Sequence, residues 1–331
     1  MDTQDNSVVG ELGETGLLKL VQRFCLPGTV GDDAALQPAP TSNLVITTDV
    51  LVESVHFSDR TTPPHSVGWR AAAANLSDLA AMGAFPISLV IALGLPNDTP
   101  VDWVEDLYQG ISDCCQPWNT GLVGGDLSRS QQRFLSITAL GDVHPERAIR
   151  RNRAQPGDVL VATGPHGSSR AGLELLLHPE LAASVNADAR QQAIAAHQYP
   201  KPRLDLLPYL QKAWEIGGRI AGMDTSDGLA DAVVQVCTMS SVGAQLEQDT
   251  LPIAPWLTKH FGDRAVEWSL YGGEDFELLL SMPPAAAELL IDSVDGVVAI
   301  GIVTDDEAIV VKDVGNLDRS SGFQHFQTTT E

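Results

Sequence analysis

Basic residues are scarce in this chain, and lysine is the scarcest of them. Only five lysines occur in 331 residues, and Asp and Glu outnumber Lys and Arg by 43 to 20, so the formal net charge is −23. Nucleic acids and anionic membranes are recognised through basic surfaces, so this charge argues against both as partners. High solubility or a salt-adapted proteome is the alternative explanation of the acidity.

Cysteine is also rare, and no CxxC motif is present. The four cysteines, Cys25, Cys114, Cys115 and Cys237, include an adjacent pair that suits a disulfide framework poorly. They predict reduced, mostly buried thiols. The acidic segment MDTQDNSVVGELGE is unlike a signal peptide, and the longest apolar stretch, FPISLVIALGLP, is too short to span a bilayer. These features predict a cytoplasmic protein with no membrane partner.

Length and patterning predict two domains that each mix helices and strands. A hydrophobic content of 44% is typical of a folded protein, and 331 residues suffice for two domains. Strand-like and helix-like segments alternate in both halves, and an arginine-rich segment, HPERAIRRNRAQPGD, separates them. We therefore expect an α/β or α+β architecture, with domains at 1–145 and 146–331.

Several segments have patterns that predict their secondary structure. NLVITTDVLV predicts a buried strand, and residues 66–82 predict a helix with Ser66 as N-cap and Gly83 beyond its end. A second helix is expected after Thr99 as N-cap, with Pro100 at its first position. The glycine-rich turn GPHGSSRAGLELLL is similar to turns that bind phosphate at a helix N-terminus.

Aspartates recur at the ends of apolar segments, each close to Gly, Ser or Thr. An apolar run drives a segment into a core, so a carboxylate at its end lies at the rim, where clefts form. Many carboxylates gathered there repel one another unless cations hold them together, and oxygen ligands are typical of Mg²⁺. The segments are GDDAAL (Asp32, Asp33), VITTDVLVESVHF (Asp49), ANLSDLAAMGA (Asp78), LVGGDLS (Asp126), MDTSDGL (Asp224, Asp227) and YGGEDFELLL (Glu274, Asp275).

Each candidate residue also has an ordinary structural explanation. GDDAAL and GGD fit tight turns, and one aspartate of MDTSDGL could cap the following helix. Asp78 could lie on the solvent face of its helix, His56 could be a strand-edge histidine, and Tyr108 could serve only in helix packing. The arginines near residue 150 could form a solvated linker.

The chain lacks the lysine-based devices that many phosphotransferases use. GxxxxGK[ST] is absent, and no lysine lies in any of the acidic segments. Phosphoryl transfer depends mostly on positioning and charge neutralisation, so bound Mg²⁺ ions could supply the positive charge instead. The sequence therefore predicts a multi-metal site for phosphate chemistry.

Taken in order, these segments resemble the thiamine-monophosphate kinase family. That family belongs to the superfamily of aminoimidazole ribonucleotide synthetase, selenophosphate synthetase and a hydrogenase-maturation protein. The matching strings run from about residue 31 to 280: GDDAAL, TTDVLVESVHF, NLSDLAAMGA, GGD, RAIRRNRAQPGDVLVATG, DTSDGL and GGEDFELLL.

The resemblance implies transfer of the γ-phosphoryl group of ATP to thiamine monophosphate, giving thiamine diphosphate. It implies a homodimer formed through the sheet of an aminoimidazole ribonucleotide synthetase-like N-terminal α/β domain, which binds ATP and Mg²⁺, and a C-terminal α/β domain. The implied ligands of several Mg²⁺ ions are Asp32, Thr48, Asp49, Asp78, Asp126, Asp224 and Asp227. The implied ATP contacts are Tyr108, Gly125, Asp126, Arg151 and Ser226, with Arg150 and Arg153 as competitors for Arg151. The implied thiamine-phosphate contacts are His56, Glu274 and the C-terminal aromatic Phe323.

No catalytic base is assigned. A phosphate monoester has a second pKa of about 6, so it is largely ionised at neutral pH and can attack directly in line. The alternatives are another ATP-dependent synthetase of the superfamily, of the selenophosphate or aminoimidazole ribonucleotide type, and a non-catalytic divalent-cation-binding module. Cys25 has no nearby lysine of the selenophosphate type, and EF-hand spacing is absent.

Overall fold

The computed structural model describes residues 7–317 and divides the chain into two compact units. One unit contains Ala84–Pro145 and the described chain up to Leu79, and the other contains Ala80–Gly83 and the described chain from Glu146. Each unit has its own mixed sheet and its own helices. The fold class predicted from the sequence, a two-domain mixture of α and β, is confirmed.

The first unit is built on a four-stranded sheet in the order β1-β4-β2-β3. β4 pairs antiparallel with both β1 and β2, and β3 pairs parallel with β2. The last two residues of α2 are counted with the second unit. In chain order the elements are α1 (Val9–Val21), β1 (Asn43–Val52), α2 (Pro64–Ala81), β2 (Phe85–Leu95), α3 (Val101–Cys115), β3 (Leu122–Arg129) and β4 (Phe134–Val143).

Helices α2 and α3 approach each other closely because a glycine lies at each contact. A Cβ at Gly68 would overlap the carbonyl of Leu107, and a Cβ at Gly110 would overlap the carbonyl of His65. On the sheet, alternate residues of β4 such as Ile137 are fully buried, and their neighbours are half-buried. This alternation indicates a sheet covered on one face.

The prediction that β1 is a buried strand was wrong for one of its faces. Leu44, Ile46 and Val50 are 44%, 62% and 48% exposed, and they alternate with half-buried or buried residues. β1 is the edge strand of its sheet, and none of the described elements covers this face. The apolar composition of the strand therefore reflects a face left exposed in the single chain.

The predicted helices are present, with shifted starts. α2 begins at Pro64, so Ser66 lies inside the helix and is not its N-cap; the Ser66 hydroxyl donates to the Pro63 carbonyl at 2.9 Å. Gly83 follows this helix with a φ of 72°, as expected of a C-terminal glycine. α3 begins at Val101 with Pro100 as its N-cap residue, one position later than predicted.

The second unit contains a seven-stranded sheet in the order β11-β10-β7-β9-β5-β8-β6. Its pairs are antiparallel except for β10 with β7, which are parallel. In chain order the elements are β5 (Val159–Ala162), α4 (Ser168–Leu177), α5 (Pro179–Ala182), α6 (Ala187–Gln198), α7 (Leu207–Gly217), β6 (Ala221–Asp224), α8 (Leu229–Ser240), β7 (Gly243–Glu247), α9 (Pro255–Phe261), α10 (Asp263–Tyr271), β8 (Leu278–Met282), α11 (Pro284–Ser293), β9 (Val298–Thr304), β10 (Ile309–Lys312) and β11 (Gly315–Asn316).

The core of the second unit lies between α8 and the sheet. Val233, Val236 and Cys237 of α8 are fully buried and belong to one apolar cluster with residues such as Leu160 and Leu279 of the central strands. Cys114 and Cys115 are buried too, in the first unit, so the prediction of mostly buried thiols is confirmed. Among the described helices, none has the length and apolarity required to cross a bilayer.

Candidate active site

The first unit contains a cavity of about 590 Å³ beside β2 and β3. Four residues predicted from the sequence line it, namely Asp32, Tyr108, Gly125 and Asp126. Asp33, which had no predicted role, lines it as well. Apolar side chains form much of the remaining wall, among them Leu18, Val21, Ile91 and Val123. The cavity therefore combines carboxylates with an apolar wall, as a nucleotide bound through cations requires.

The two glycines of β3 have different functions. A Cβ at Gly125 would overlap the carbonyl oxygen of Ile91 on β2, so this position must lack a side chain for the strands to pair. A Cβ at Gly124 would meet no described atom within 4 Å, although Gly124 lines the same cavity. Gly125 is therefore required by the sheet, and Gly124 leaves space open in the cavity.

Tyr108 is buried on α3, and only 2% of it is exposed. Its ring lies 5.7 Å from that of Phe24, measured between ring centroids. Burial raises the pKa of the Tyr108 phenol well above its ordinary value, so the hydroxyl remains neutral and able to donate a hydrogen bond.

Asp78 of α2 contacts β1 on the half-buried face of the sheet. The Thr47 hydroxyl donates a hydrogen bond to the Asp78 carboxylate, so Asp78 is half-buried and does not lie on the solvent face of its helix. Side chains alternate along a strand, which puts Asp49 on the same face as Thr47. Thr48 lies on the opposite face, where its hydroxyl donates to the Ile137 carbonyl at 3.0 Å.

His56 lies in a short segment that follows β1. Its Nδ1 accepts the Val52 backbone N–H at 3.0 Å, so neutral His56 carries its ring proton on Nε2. Arg133 holds this segment at both ends, since its Nε donates to Glu53 at 3.0 Å and its Nη2 donates to Asp59 at 2.8 Å. The hydrogen bond from Arg133 lowers the pKa of the Glu53 carboxyl.

In the second unit, Asp224 and Asp227 flank the turn between β6 and α8. Asp224 is buried at the end of β6 and accepts the Ser226 hydroxyl at 3.1 Å, whereas Asp227 is exposed. The N-cap residue of α8 is Gly228, so neither aspartate is its N-cap residue. The Ser226 carbonyl accepts the Glu274 backbone N–H at 2.7 Å, which ties this turn to the segment GGEDFE.

Glu274 has a strained backbone. Its φ is 67°, and that of Phe276 is 52°, both in the left-handed region that residues with a side chain adopt at a cost. The Glu274 carboxylate lies 3.8 Å from Nδ1 of buried His197. Such a conformation persists only where surrounding contacts hold it, and functional sites are common places for it.

The expected phosphate-binding turn at α4 is filled by a side chain of the protein. The Asp275 carboxylate accepts the backbone N–H groups of Gly167, at 2.6 Å, and Ser169, at 2.8 Å. These donors lie at the N-terminus of α4, where an anion is favoured. Asp275 thus takes the place that the sequence pattern suggested for a phosphate, and the interpretation of this turn as a phosphate cradle was wrong for these two donors.

Arg151 and its competitors have different surroundings. Arg151 is exposed, and its Nη1 donates to Gln235 at 2.7 Å. Arg153 is half-buried, with its guanidinium 5.9 Å from the centre of the Trp214 ring and a hydrogen bond to the Ala148 carbonyl. Arg150 is exposed, and its backbone bridges to β6. Arg153 is therefore engaged in packing, which leaves Arg150 and Arg151 as the exposed candidates.

The predicted metal ligands are divided between the two units. Four aspartates belong to the first unit (Asp32, Asp49, Asp78, Asp126) and two to the second (Asp224, Asp227). Within residues 7–317 there is no group of three or more His, Cys, Asp or Glu side chains placed to hold a metal ion. Phe323 lies outside the described residues.

Known proteins similar to this chain identify its family. The model of the AIR synthase related protein N-terminal domain matches residues 31–143, and that of the C-terminal domain matches residues 155–314. A thiamine-monophosphate kinase of Synechococcus elongatus is 50% identical over 97% of this chain and 98% of its own length. This chain belongs to the thiamine-monophosphate kinase family.

Solved structures of the family have the same fold. Thiamine-monophosphate kinase from Stenotrophomonas maltophilia K279a is 32% identical, with a TM-score of 0.79 over 91% of this chain and 96% of its own. AaThiL complexed with AMPPCP and TMP is 33% identical, with a TM-score of 0.73 over 93% of this chain and 96% of its own. The membership predicted from the ordered acidic segments is therefore confirmed.

Sequence reasoning missed several residues that lie beside the candidate site residues. Thr47 could have been found, because the period of two along a strand places it, and not Thr48, on the Asp49 face. Arg133 could not have been found, because it lies 77 residues after His56 in the chain. Only the pairing of β4 with β1 brings it to the segment that contains His56. Ser88, which also lines the cavity, carries no sequence signal.

Proposed function

We propose that this chain transfers the γ-phosphoryl group of ATP to thiamine monophosphate and releases thiamine diphosphate and ADP. The observation that carries this function is the near full-length identity of 50% to a thiamine-monophosphate kinase. The structure of AaThiL with AMPPCP and TMP supports the same pair of substrates, because it shares this fold over nearly the whole chain. ATP is a co-substrate of this reaction.

ATP binds in the cavity of the first unit. Tyr108, Gly125 and Asp126 contact it there, and Arg151 and Ser226 are the other proposed ATP contacts. The support for the first three is that they line one cavity with a carboxylate on β3 and a neutral phenol on α3. Arg151 is supported by its exposure, which leaves a guanidinium available for a phosphate group.

Mg²⁺ is the metal that fits these residues. The donors are carboxylates and hydroxyls, which a hard cation prefers, and Mg²⁺ usually takes only one or two protein carboxylates, filling its shell with water and phosphate oxygens. A site of this type needs no preformed cluster of three side chains. When bound, the ions neutralise the triphosphate and orient it. The residues that hold them are Asp32, Asp49, Asp78, Asp126, Asp224 and Asp227. Thr47 takes the place of the predicted Thr48, because Thr47 shares the face of Asp49 and hydrogen-bonds Asp78, whereas the Thr48 hydroxyl lies on the opposite face of β1.

Thiamine monophosphate is bound by His56 and Glu274, with Phe323 as the aromatic contact. Nδ1 of His56 accepts the Val52 N–H, which fixes the donor of the neutral ring at Nε2. Glu274 offers a carboxylate to the positively charged thiazolium ring. The strained φ of Glu274 and the hydrogen bond from its N–H to Ser226 hold this carboxylate in one direction.

The phosphoryl group moves directly from ATP to the substrate phosphate. The attacking oxygen belongs to a monoester that is already ionised near neutral pH, so no residue of the chain has to remove a proton. The residues therefore act by binding and orienting the two substrates in line, and positioning of this kind can lower the barrier by several kcal/mol. No residue of the chain carries the phosphoryl group.

The two domains have different functions. Residues 1–145 form the ATP-binding and Mg²⁺-binding domain, and residues 146–331 form the C-terminal domain. The protein acts in the cytoplasm as a homodimer. The exposed apolar side chains of β1, namely Leu44, Ile46 and Val50, support dimerisation through the sheet of the first domain.

The function is tested by measuring ADP release by the purified protein with Mg²⁺, ATP and thiamine monophosphate. Aminoimidazole ribonucleotide precursors and selenide serve as competing acceptors. We expect turnover with thiamine monophosphate only and, with ATP chirally labelled at the γ-phosphorus, inverted configuration in the product. Net retention would indicate a phosphoenzyme and contradict the direct mechanism. Turnover with another acceptor, or Mg²⁺ binding without turnover, would contradict the function.

A further inference from the structure

The hydroxyl of Ser88 is a buried polar group that points to a ligand. Ser88 is 1% exposed and lines the cavity of the first unit. Within residues 7–317, no group forms a hydrogen bond with its Oγ. We propose that Ser88 hydrogen-bonds the nucleoside part of ATP, and that the nucleotide lies along β2 with its base near Ser88 and its phosphates near Asp126. This inference rests on the proposed function.

The isolated hydroxyl of Ser88 is energetically unfavourable in the protein without a ligand. A buried hydroxyl without a hydrogen bond costs about 1–3 kcal/mol, and alanine at the same position would avoid that cost. A ligand in the cavity that supplies a hydrogen-bonding partner recovers this energy on binding. The described part of the chain supplies no such partner. The Ser88 hydroxyl is therefore placed to bond a ligand that enters the cavity.

Strand geometry gives the direction of the nucleotide. Ser88, Val90 and Ala92 alternate onto one face of β2, and Val90 pairs with Gly124 while Ala92 pairs with Asp126 on β3. Ser88 therefore lies four residues from the level of Asp126, which corresponds to about 13 Å along a strand. An extended nucleoside triphosphate has a similar reach from its base to its terminal phosphate.

The surroundings of Ser88 suit a base better than a phosphate. Leu140 pairs with Ser88 from β4, and Cys25 bridges to Leu122 at the start of β3, so the residues paired with the strands at this end are uncharged. Asp126 lies at the other end. A base is apolar on its faces and carries a few hydrogen-bonding atoms at its edge, so one hydroxyl in an apolar wall fits it.

The test is Ser88→Ala, with KM for ATP, KM for thiamine monophosphate, kcat and stability to urea measured together. We expect KM for ATP to rise about two- to tenfold, which is the loss of one hydrogen bond, with the other kinetic constants unchanged. We expect stability without nucleotide to be equal or higher, because the unsatisfied hydroxyl is gone. Ser269→Ala is the matched control, since Ser269 is also fully buried and its hydroxyl also has no hydrogen bond among the described residues.

A second measurement separates the two ends of the nucleotide. Adenosine and inorganic tripolyphosphate are used as inhibitors against ATP. We expect Ser88→Ala to weaken inhibition by adenosine and to leave inhibition by tripolyphosphate unchanged. The reverse pattern, or an unchanged KM for ATP in an active variant, would overturn the role of Ser88 while the kinase function stands. If the wild-type protein has no kinase activity, the function fails, and calorimetric binding of ATP to both proteins still decides the role of Ser88.

Discussion

The Asp275 carboxylate accepts the backbone N–H of Gly167 at 2.6 Å, across 108 residues of the chain. Its other oxygen accepts the Ser169 N–H at 2.8 Å, so one side chain anchors the segment GGEDFE to the start of α4. Asp275 lies between Glu274 and Phe276, the two residues of this segment with strained backbones. Two strong hydrogen bonds at the centre of a strained segment explain how the strain is maintained.

Asp275→Asn tests this anchor. The amide has one acceptor oxygen, so one backbone N–H faces an NH₂ group and loses its partner, which should reduce the free energy of unfolding by about 1–3 kcal/mol. Relaxation of Glu274 should raise KM for thiamine monophosphate more than KM for ATP. Urea denaturation and steady-state kinetics measure both effects, with exposed Asp295→Asn as the control. An unchanged KM for thiamine monophosphate would show that Asp275 serves stability alone.

Because the ring of His166 is buried, we expect the folded protein to lose stability at acid pH. Its ring is fully buried between the Gly164 carbonyl and the Thr225 hydroxyl, and burial lowers its pKa to about 4. The unfolded chain binds a proton on this residue below about pH 6.5, whereas the folded protein does not. The contribution of His166 is therefore fully present above about pH 6.5 and is lost as the pH falls towards 4, by about 3 kcal/mol in total.

The measurement is urea denaturation between pH 7.5 and 4.5 for the wild type and for His166→Gln, which cannot titrate. We expect the variant to be less stable at pH 7.5 and the difference between the two proteins to shrink as the pH falls. Exposed His178→Gln is the control and should follow the wild type. A constant difference across the pH range would contradict the neutral, buried His166.

The neighbouring glycines of β3 make a matched pair. Gly125→Ala brings a methyl group against the Ile91 carbonyl, so we expect a loss of stability above about 2 kcal/mol or an insoluble protein. Gly124→Ala adds a methyl group to open space in the cavity and should leave stability within about 1 kcal/mol of the wild type. Thermal unfolding and KM for ATP distinguish them. Gly124→Ala should raise KM for ATP, and an unchanged KM would place the nucleotide away from Gly124.

The arginines near residue 150 differ in their surroundings, so substitutions can distinguish their functions. Arg151→Ala removes an exposed guanidinium and should raise KM for ATP with little change in stability. Arg153→Ala removes a side chain that packs against Trp214, so it should lower stability by about 1 kcal/mol or more and change KM for ATP less. Steady-state kinetics with ATP as the varied substrate, together with urea denaturation, test both. The opposite pattern would assign the ATP contact to Arg153.

Much of the candidate site follows from local patterns, because each acidic segment carries its own turn chemistry and apolar flank. GGD at 124–126 could have been only a tight turn, but these residues lie within β3 and line the cavity. The strand at 43–52 was recognised from its composition, but its exposed face was not. A run of apolar residues has the same appearance whether a face is covered by the same chain or left open.

The sequence by itself determined the family, the mixed fold and the positions of the acidic segments, because these depend on residue order and local periodicity. Tertiary structure decided which side chain meets which backbone group. Asp275, and not a phosphate, binds the N-terminus of α4, because folding brings residues 106 and 108 positions apart within hydrogen-bonding distance. For the same reason, Thr47 reaches Asp78, and Ser88 lines a cavity with no hydrogen-bonding partner among residues 7–317. Such contacts depend on strand pairing and helix packing over long separations, which no local pattern encodes.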